Sequence, residues 1–126
     1  MPTTVKQMIA AAEAEVPRIG AEAARALHAA GQAVFIDLRE PAELTASGKV
    51  PGALPIPRGL LEFRADPEAA ARDPALAAGK TVITYCASGG RAALAGKTLR
   101  ELGYTDVRNL GGFKDWLDAG GAVEKV

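Results

Sequence analysis

The chain has one cysteine and one histidine among its 126 residues. A lone cysteine excludes an intramolecular disulfide, a multi-cysteine zinc site and a resolving thiol within the chain. With a single histidine beside it, no credible metal site is expected, and no glycine-rich nucleotide fingerprint is present, so no cofactor is expected. Excess charge is also lacking: 15 basic and 15 acidic side chains cancel. The broad basic surface used against nucleic acid or anionic membrane is therefore absent. No apolar run reaches membrane-spanning length. Acidic residues interrupt the stretch Met1 to Val16 where a secretory signal needs an apolar core, and a cytoplasmic location is the expectation. What remains is ordinary for a folded protein, 48% apolar and 24% charged residues in a length that suits one domain.

Along the chain, Val5, Met8, Ile9, Ala12 and Val16 recur at helical spacing and Pro17 ends the run. This N-terminal helix, residues 1–16, stands as an extension to a main domain of residues 17–126. A second helix is predicted over Ala21–Ala30 with Gly31 as its stop, and a buried strand over Ala33–Leu38. Pro41 opens a short helix; residues 47–57 hold too much proline and glycine for more than loop and one short strand; and residues 58–80 form helical pieces broken at Pro67 and Pro74. The β-branched run "TVITYC" (81–86) is the clearest strand. A helix from about Arg91 to Leu102 follows, with Leu94, Thr98, Leu99 and Leu102 on its inner side. "DVRNL" reads as a strand, Gly111-Gly112 as a turn, and "FKDWLDAG" as a last helix. This alternation predicts an α/β fold in three layers, a mostly parallel sheet with helices on both faces.

In such sheets ligands bind beyond the carboxyl ends of the strands, where Cys86 is expected. The small residues Ala87, Ser88, Gly89 and Gly90 let the backbone curl and turn its N–H groups inward, and the following helix adds its positive end. Both favour a thiolate, hence a nucleophilic sulfur.

"CASGGR" (86–91), with "DLRE" upstream, "GKVPGALPIP" between and "NLGGFKDW" near the end, resembles the rhodanese family of sulfurtransferases over about Pro17 to Ala119. The resemblance implies that Cys86 carries a sulfane sulfur as a persulfide. The sulfur would come from a small donor such as thiosulfate or a persulfide and pass to cyanide, a thiol or a protein acceptor. The backbone of residues 87–90 would cradle it, and Arg91 would close the loop. Cysteine phosphatases related to the family have one more residue between Cys and Arg; the shorter ring here suits one terminal sulfur better than a phosphoryl group. Asp37 and Arg39 match the family's Asp-x-Arg pair. Asp37 is expected to accept backbone hydrogen bonds near the loop, and Arg39 or Glu43 to anchor an ion pair, with Glu43 a partner for Arg91. The alternative for Arg39 and Glu43 is a surface charge network.

Lys49 stands where the family commonly has histidine. The loop side chains Ala87 and Ser88 are uncharged, which argues against thiosulfate as an efficient donor; Arg58 or Arg64 could supply positive charge from a neighbouring segment, or be solvated helix residues. His28, Phe113 and Trp116 read as packing residues. The second functional reading is a non-catalytic binding, regulatory or redox-sensing module. Such modules often lack the cysteine or the loop arginine, and both are present here.

Overall fold

The computed structural model describes residues 2–126. Four parallel strands lie in the order β2-β1-β3-β4: β1 Ala33–Asp37, β2 Leu54–Pro55, β3 Thr81–Cys86 and β4 Val107–Gly112. Around them are α1 Val5–Glu15, α2 Ala21–Ala29, α3 Pro41–Ser47, α4 Leu61–Ala65, α5 Gly90–Glu101 and α6 Phe113–Asp118. This is the three-layer α/β arrangement expected.

Alternation along β3 shows why the strand is apolar on both faces. Val82 and Cys86 face a core shared with α4 and α5, whereas Ile83 and Tyr85 face a second core with Phe35, Phe113 and Trp116. A strand covered on both sides has no solvent face to populate with polar residues.

Three expectations need correction. The inner face of α5 is made by Ala92, Ala93, Ala95, Gly96 and Leu99, while Leu94 and Thr98 are only half-buried. Small residues are needed because α5 is covered twice, by the sheet and by α1: a Cβ on Gly96 would stand 3.0 Å from a Val16 methyl. Gly111 and Gly112 are not a free turn but the end of β4, paired with Tyr85 and Cys86. A bulge makes this possible, since Thr84 pairs with Asn109 and Tyr85 with Gly111, leaving Leu110 unmatched. The Asn109 side chain accepts the Gly111 N–H at 2.8 Å and so sets the bulge. Pro74 opens a short 3-10 turn, Pro74–Ala78, rather than breaking a helix; Asp73 caps it by accepting from Ala75 N–H at 3.0 Å.

The N-terminal helix packs on the main domain. Ala12 is fully buried against it, and a capping box closes its start: the Thr4 hydroxyl accepts from Gln7 N–H, and the Gln7 side chain accepts from Thr4 N–H.

Candidate active site

Cys86 ends β3 at the carboxyl edge of the sheet, with 1% of its surface exposed. The chain then curls over it and enters α5. Gly89, at φ +111°, turns its N–H back to the Cys86 Sγ, which accepts it at 3.0 Å. That dihedral and a close approach to Gly111, whose Cα would be 3.3 Å from a Cβ at position 89, both require glycine here. Ala87 and Ser88 form the outer, exposed part of the loop, and Gly90 begins the helix. Gly112 supports the loop from beneath, where a Cβ would stand 2.6 Å from the Ala87 carbonyl oxygen.

Thr84, one turn of the pleat before Cys86, is wholly buried and donates its hydroxyl to the Ala92 carbonyl at 3.0 Å. This bond ties the first turn of α5 to β3, so both ends of the loop are fixed to one strand. Sequence reasoning missed Thr84 because a threonine within a β-branched run carries no signal beyond strand propensity.

Arg91 follows directly. Its Nη1 and Nη2 donate to the two oxygens of Glu43 at 2.7 and 3.0 Å, a fork-to-fork pair across the loop. Glu43 also accepts Glu40 N–H at 2.9 Å, completing a capping box at the start of α3. Arg91 and then the Glu40 amide hold the Glu43 carboxyl down at about 2, from an ordinary 4.5. In the same pair the Arg91 guanidinium is pushed further up, chiefly by Glu43 and with a smaller contribution from Cys86.

Asp37 and Arg39 also lie at this edge, but Asp37 does not reach the active loop. Its carboxylate is taken by Arg39: the backbone N–H and Nε of Arg39 donate to Oδ1, both at 3.0 Å, and Nη2 donates to Oδ2 at 2.8 Å. Asp37 thus accepts one backbone hydrogen bond, from Arg39 N–H, and none from residues 86–91; the rest of its carboxylate is held by the guanidinium two residues away. Neither member is a surface charge, since Asp37 is 0% and Arg39 4% exposed. Arg39 further donates to the Ser47 hydroxyl at 2.8 Å and the Gly48 carbonyl at 2.7 Å, and lies 4.5 Å over the Phe113 ring. It thereby ties the C-terminal end of α3, the helix that presents Glu43, to the Asp37–Arg39 pair. Ser47 gave no sign of this in the sequence.

Tyr85 is likewise buried, and its hydroxyl accepts Val50 N–H at 3.0 Å. Burial, then the nearby Asp37 charge, raises its phenol well above the ordinary range. Lys49, at the position of the family's usual histidine, donates to the Ala53 carbonyl at 2.9 Å and pairs with Glu124 at 3.0 Å. Arg58 is engaged by Glu62 and Thr98 at 3.0 and 3.1 Å. Arg64 is half-buried on α4 and makes no hydrogen bond to the loop among the described residues. His28 packs edge-on against Phe35 and Trp116, both at 5.4 Å, with Nε2 2.7 Å from the Pro51 carbonyl oxygen. Trp116 is buried and donates Nε1–H to the Ala122 carbonyl at 2.7 Å. Among the described residues no cluster of metal-ligating side chains occurs, and no helix is long and apolar enough to cross a membrane.

Comparison with known proteins identifies relatives of the whole fold. The rhodanese-like domain model matches residues 20–119. The human thiosulfate:glutathione sulfurtransferase is 35% identical over 112 residues, covering 83% of this chain and 96% of its own. Among solved structures, a Rhodopseudomonas palustris protein of unknown function, described as a possible tyrosine phosphatase, is 38% identical, covers 98% of this chain and 99% of its own, and superposes with a TM-score of 0.88. The human single-domain sulfurtransferase is 34% identical, with a TM-score of 0.68 over 82% of this chain and 96% of its own. Sulfur transfer in general is the activity these relatives support. The chain belongs to the rhodanese-like domain family.

Proposed function

We propose that this protein is a sulfurtransferase that moves a sulfane sulfur from a persulfide or thiosulfate donor to a thiol or cyanide through a persulfide on Cys86. The observation that carries the reading is the buried Cys86 Sγ accepting the Gly89 N–H at 3.0 Å beneath a loop of small residues. An anion on sulfur needs donors and positive potential more than a base, and the loop amide and the start of α5 supply both.

In the first half-reaction the Cys86 thiolate attacks the outer sulfur of the donor, forms an S–S bond and releases the donor as its sulfite or thiolate. In the second, an acceptor thiolate attacks the outer sulfur of the Cys86 persulfide. The S–S bond breaks, Cys86 departs as thiolate, and the acceptor leaves as the persulfide. Glutathione, named as a co-substrate of the human relative, belongs to the acceptor class proposed here. A persulfide donor is favoured over thiosulfate, a dianion, because the loop side chains are uncharged and Arg58 is already engaged.

The phosphatase description of the Rhodopseudomonas palustris structure suggests a competing activity. Against it stand the four residues between Cys86 and Arg91 and the double hydrogen bond that occupies the Arg91 fork with Glu43. The test is steady-state kinetics with glutathione persulfide and cyanide, beside para-nitrophenyl phosphate. Parallel double-reciprocal lines for thiocyanate formation, loss of activity in Cys86→Ser and no phosphate release are expected. Phosphate release that depends on Cys86, without thiocyanate formation, would reverse the assignment.

A further inference from the structure

Arg18 precedes residues 20–119, which the family model matches, and stands at the edge of the sheet beside β4. Its backbone neighbours fix it there: Asn109 N–H donates to the Pro17 carbonyl at 2.9 Å, and Ile19 N–H donates to the Asn109 carbonyl at 3.0 Å. These are the bonds of a parallel pairing, and they do not depend on the side chain at position 18. That side chain is exposed and reaches along β4 toward the carboxyl edge, where Nη2 donates to the Leu110 carbonyl at 3.2 Å.

Leu110 is the unmatched residue of the bulge, and Gly111 follows it. The guanidinium bears on both. A Cβ on Gly111 would run into Nη2 and stand 3.1 Å from Cζ, so the arginine fork lies directly against this glycine. The active loop meets the same residue, since the Gly111 Cα is 3.3 Å from where a Cβ on Gly89 would be. Gly89 is the residue whose N–H donates to Cys86 Sγ at 3.0 Å. Gly111 therefore touches the guanidinium and also the residue whose amide holds the sulfur. Two further side chains grip this stretch: Asn109 accepts Gly111 N–H at 2.8 Å, and Asp115 accepts Gly112 N–H at 3.3 Å. Arg18 is the donor of the three, and it takes the carbonyl that the two acceptors cannot.

Resting on the sulfur-carrier reading above, we propose that Arg18 is a positioning residue for sulfur transfer: it fixes the Leu110–Gly111 peptide, and through Gly111 it keeps the Gly89 N–H aimed at Cys86 Sγ. Two glycines in succession, the first at φ +98°, leave this backbone little resistance of its own to drift. A hydrogen bond weakens steeply as its angle opens, so a small displacement of Gly111 reaches the sulfur. The amide acts in both half-reactions, because Sγ is an anion when it attacks the donor and again when it leaves the persulfide. Arg18 itself touches neither substrate nor sulfur in this role.

The test compares the full chain with Arg18→Leu and Arg18→Lys, using glutathione persulfide as donor and cyanide as acceptor. In Arg18→Leu, kcat/KM should fall about tenfold for donor and acceptor alike, the size expected when one hydrogen bond to an anion is weakened. Each chain should still load one sulfur by intact mass, which a merely unfolded fraction would not. Arg18→Lys keeps a charged donor and should stay within about threefold of the wild type. Unchanged values in Arg18→Leu, a fall confined to the donor, an equal fall in Arg18→Lys, or incomplete loading would overturn the positioning assignment. Should the wild type transfer no sulfur, the sulfur-carrier reading fails, and positioning is judged by the rate at which iodoacetamide alkylates Cys86. Alkylation about tenfold slower in Arg18→Leu than in the wild type and Arg18→Lys supports it. Equal rates in all three overturn it.

Discussion

Asp37 and Arg39 can both be buried because each satisfies the other, and the consequences of separating them differ from those of removing both. Arg39→Met leaves an unpaired carboxylate at a fully buried position and frees the Ser47 hydroxyl and Gly48 carbonyl. The expected loss is about 3–5 kcal/mol, read from chemical denaturation. Asp37→Asn together with Arg39→Met should recover part of it, because the uncompensated charge is gone. The Glu43–Arg91 pair is different, since its side chains are 34% and 36% exposed and solvent screens it to about 0.5–1 kcal/mol. Its pH dependence follows from a carboxyl held at about 2 instead of 4.5. A depressed folded-state value gives stability that is complete above pH 4.5 and disappears as pH falls toward 2. Denaturation of wild type and Glu43→Gln across that range should show the two curves converging at the acid end. A constant gap would contradict the assignment of the shift to this ion pair.

At the scale of elements, the active loop depends on the bulge in β4. Without the bulge, register would place Leu110 instead of Gly111 opposite Tyr85, and would leave Gly112 beyond the place opposite Cys86 that it occupies. Gly112→Ala puts a methyl 2.6 Å from the Ala87 carbonyl oxygen, against backbone that can yield only by moving the loop. Sulfur transfer should fall by about tenfold or more while far-UV circular dichroism stays native, reflecting displaced reacting geometry rather than unfolding. The bulge also explains what sequence could not provide. "GG" after an apolar run reads as a turn from local propensity, and only the Asn109–Gly111 contact and the pairing with β3 hold these residues in the sheet. The inner face of α5 is hidden for a similar reason: leucine spacing marks one apolar stripe, whereas a helix covered by both sheet and α1 buries its small residues. By contrast, β3 and the Cys86–Arg91 turn were legible because a β-branched run, then small residues, then a helix is decided locally.

For the molecule as a whole, a parallel sheet gathers the ends of β1 and β3 at one edge, so residues far apart in sequence meet there. The sequence and its family resemblance put Asp37 and Arg39 at the edge of Cys86 and offer Glu43 as a partner for Arg91; the roles of Thr84, Ser47 and Tyr85 as bracing residues emerge only from distances. The neutral net charge leaves no long-range field to draw in a substrate, so selection falls to the surface around the loop. In the proposed mechanism Cys86 alone carries the transferred sulfur. The most direct test is intact-protein mass spectrometry of the reduced, folded chain after incubation with glutathione persulfide, before and after cyanide, beside Cys86→Ser. A gain of the mass of one sulfur that cyanide removes and the variant never acquires is the predicted result. No gain in the wild type, or the same gain in Cys86→Ser, would exclude Cys86 as the sulfur carrier.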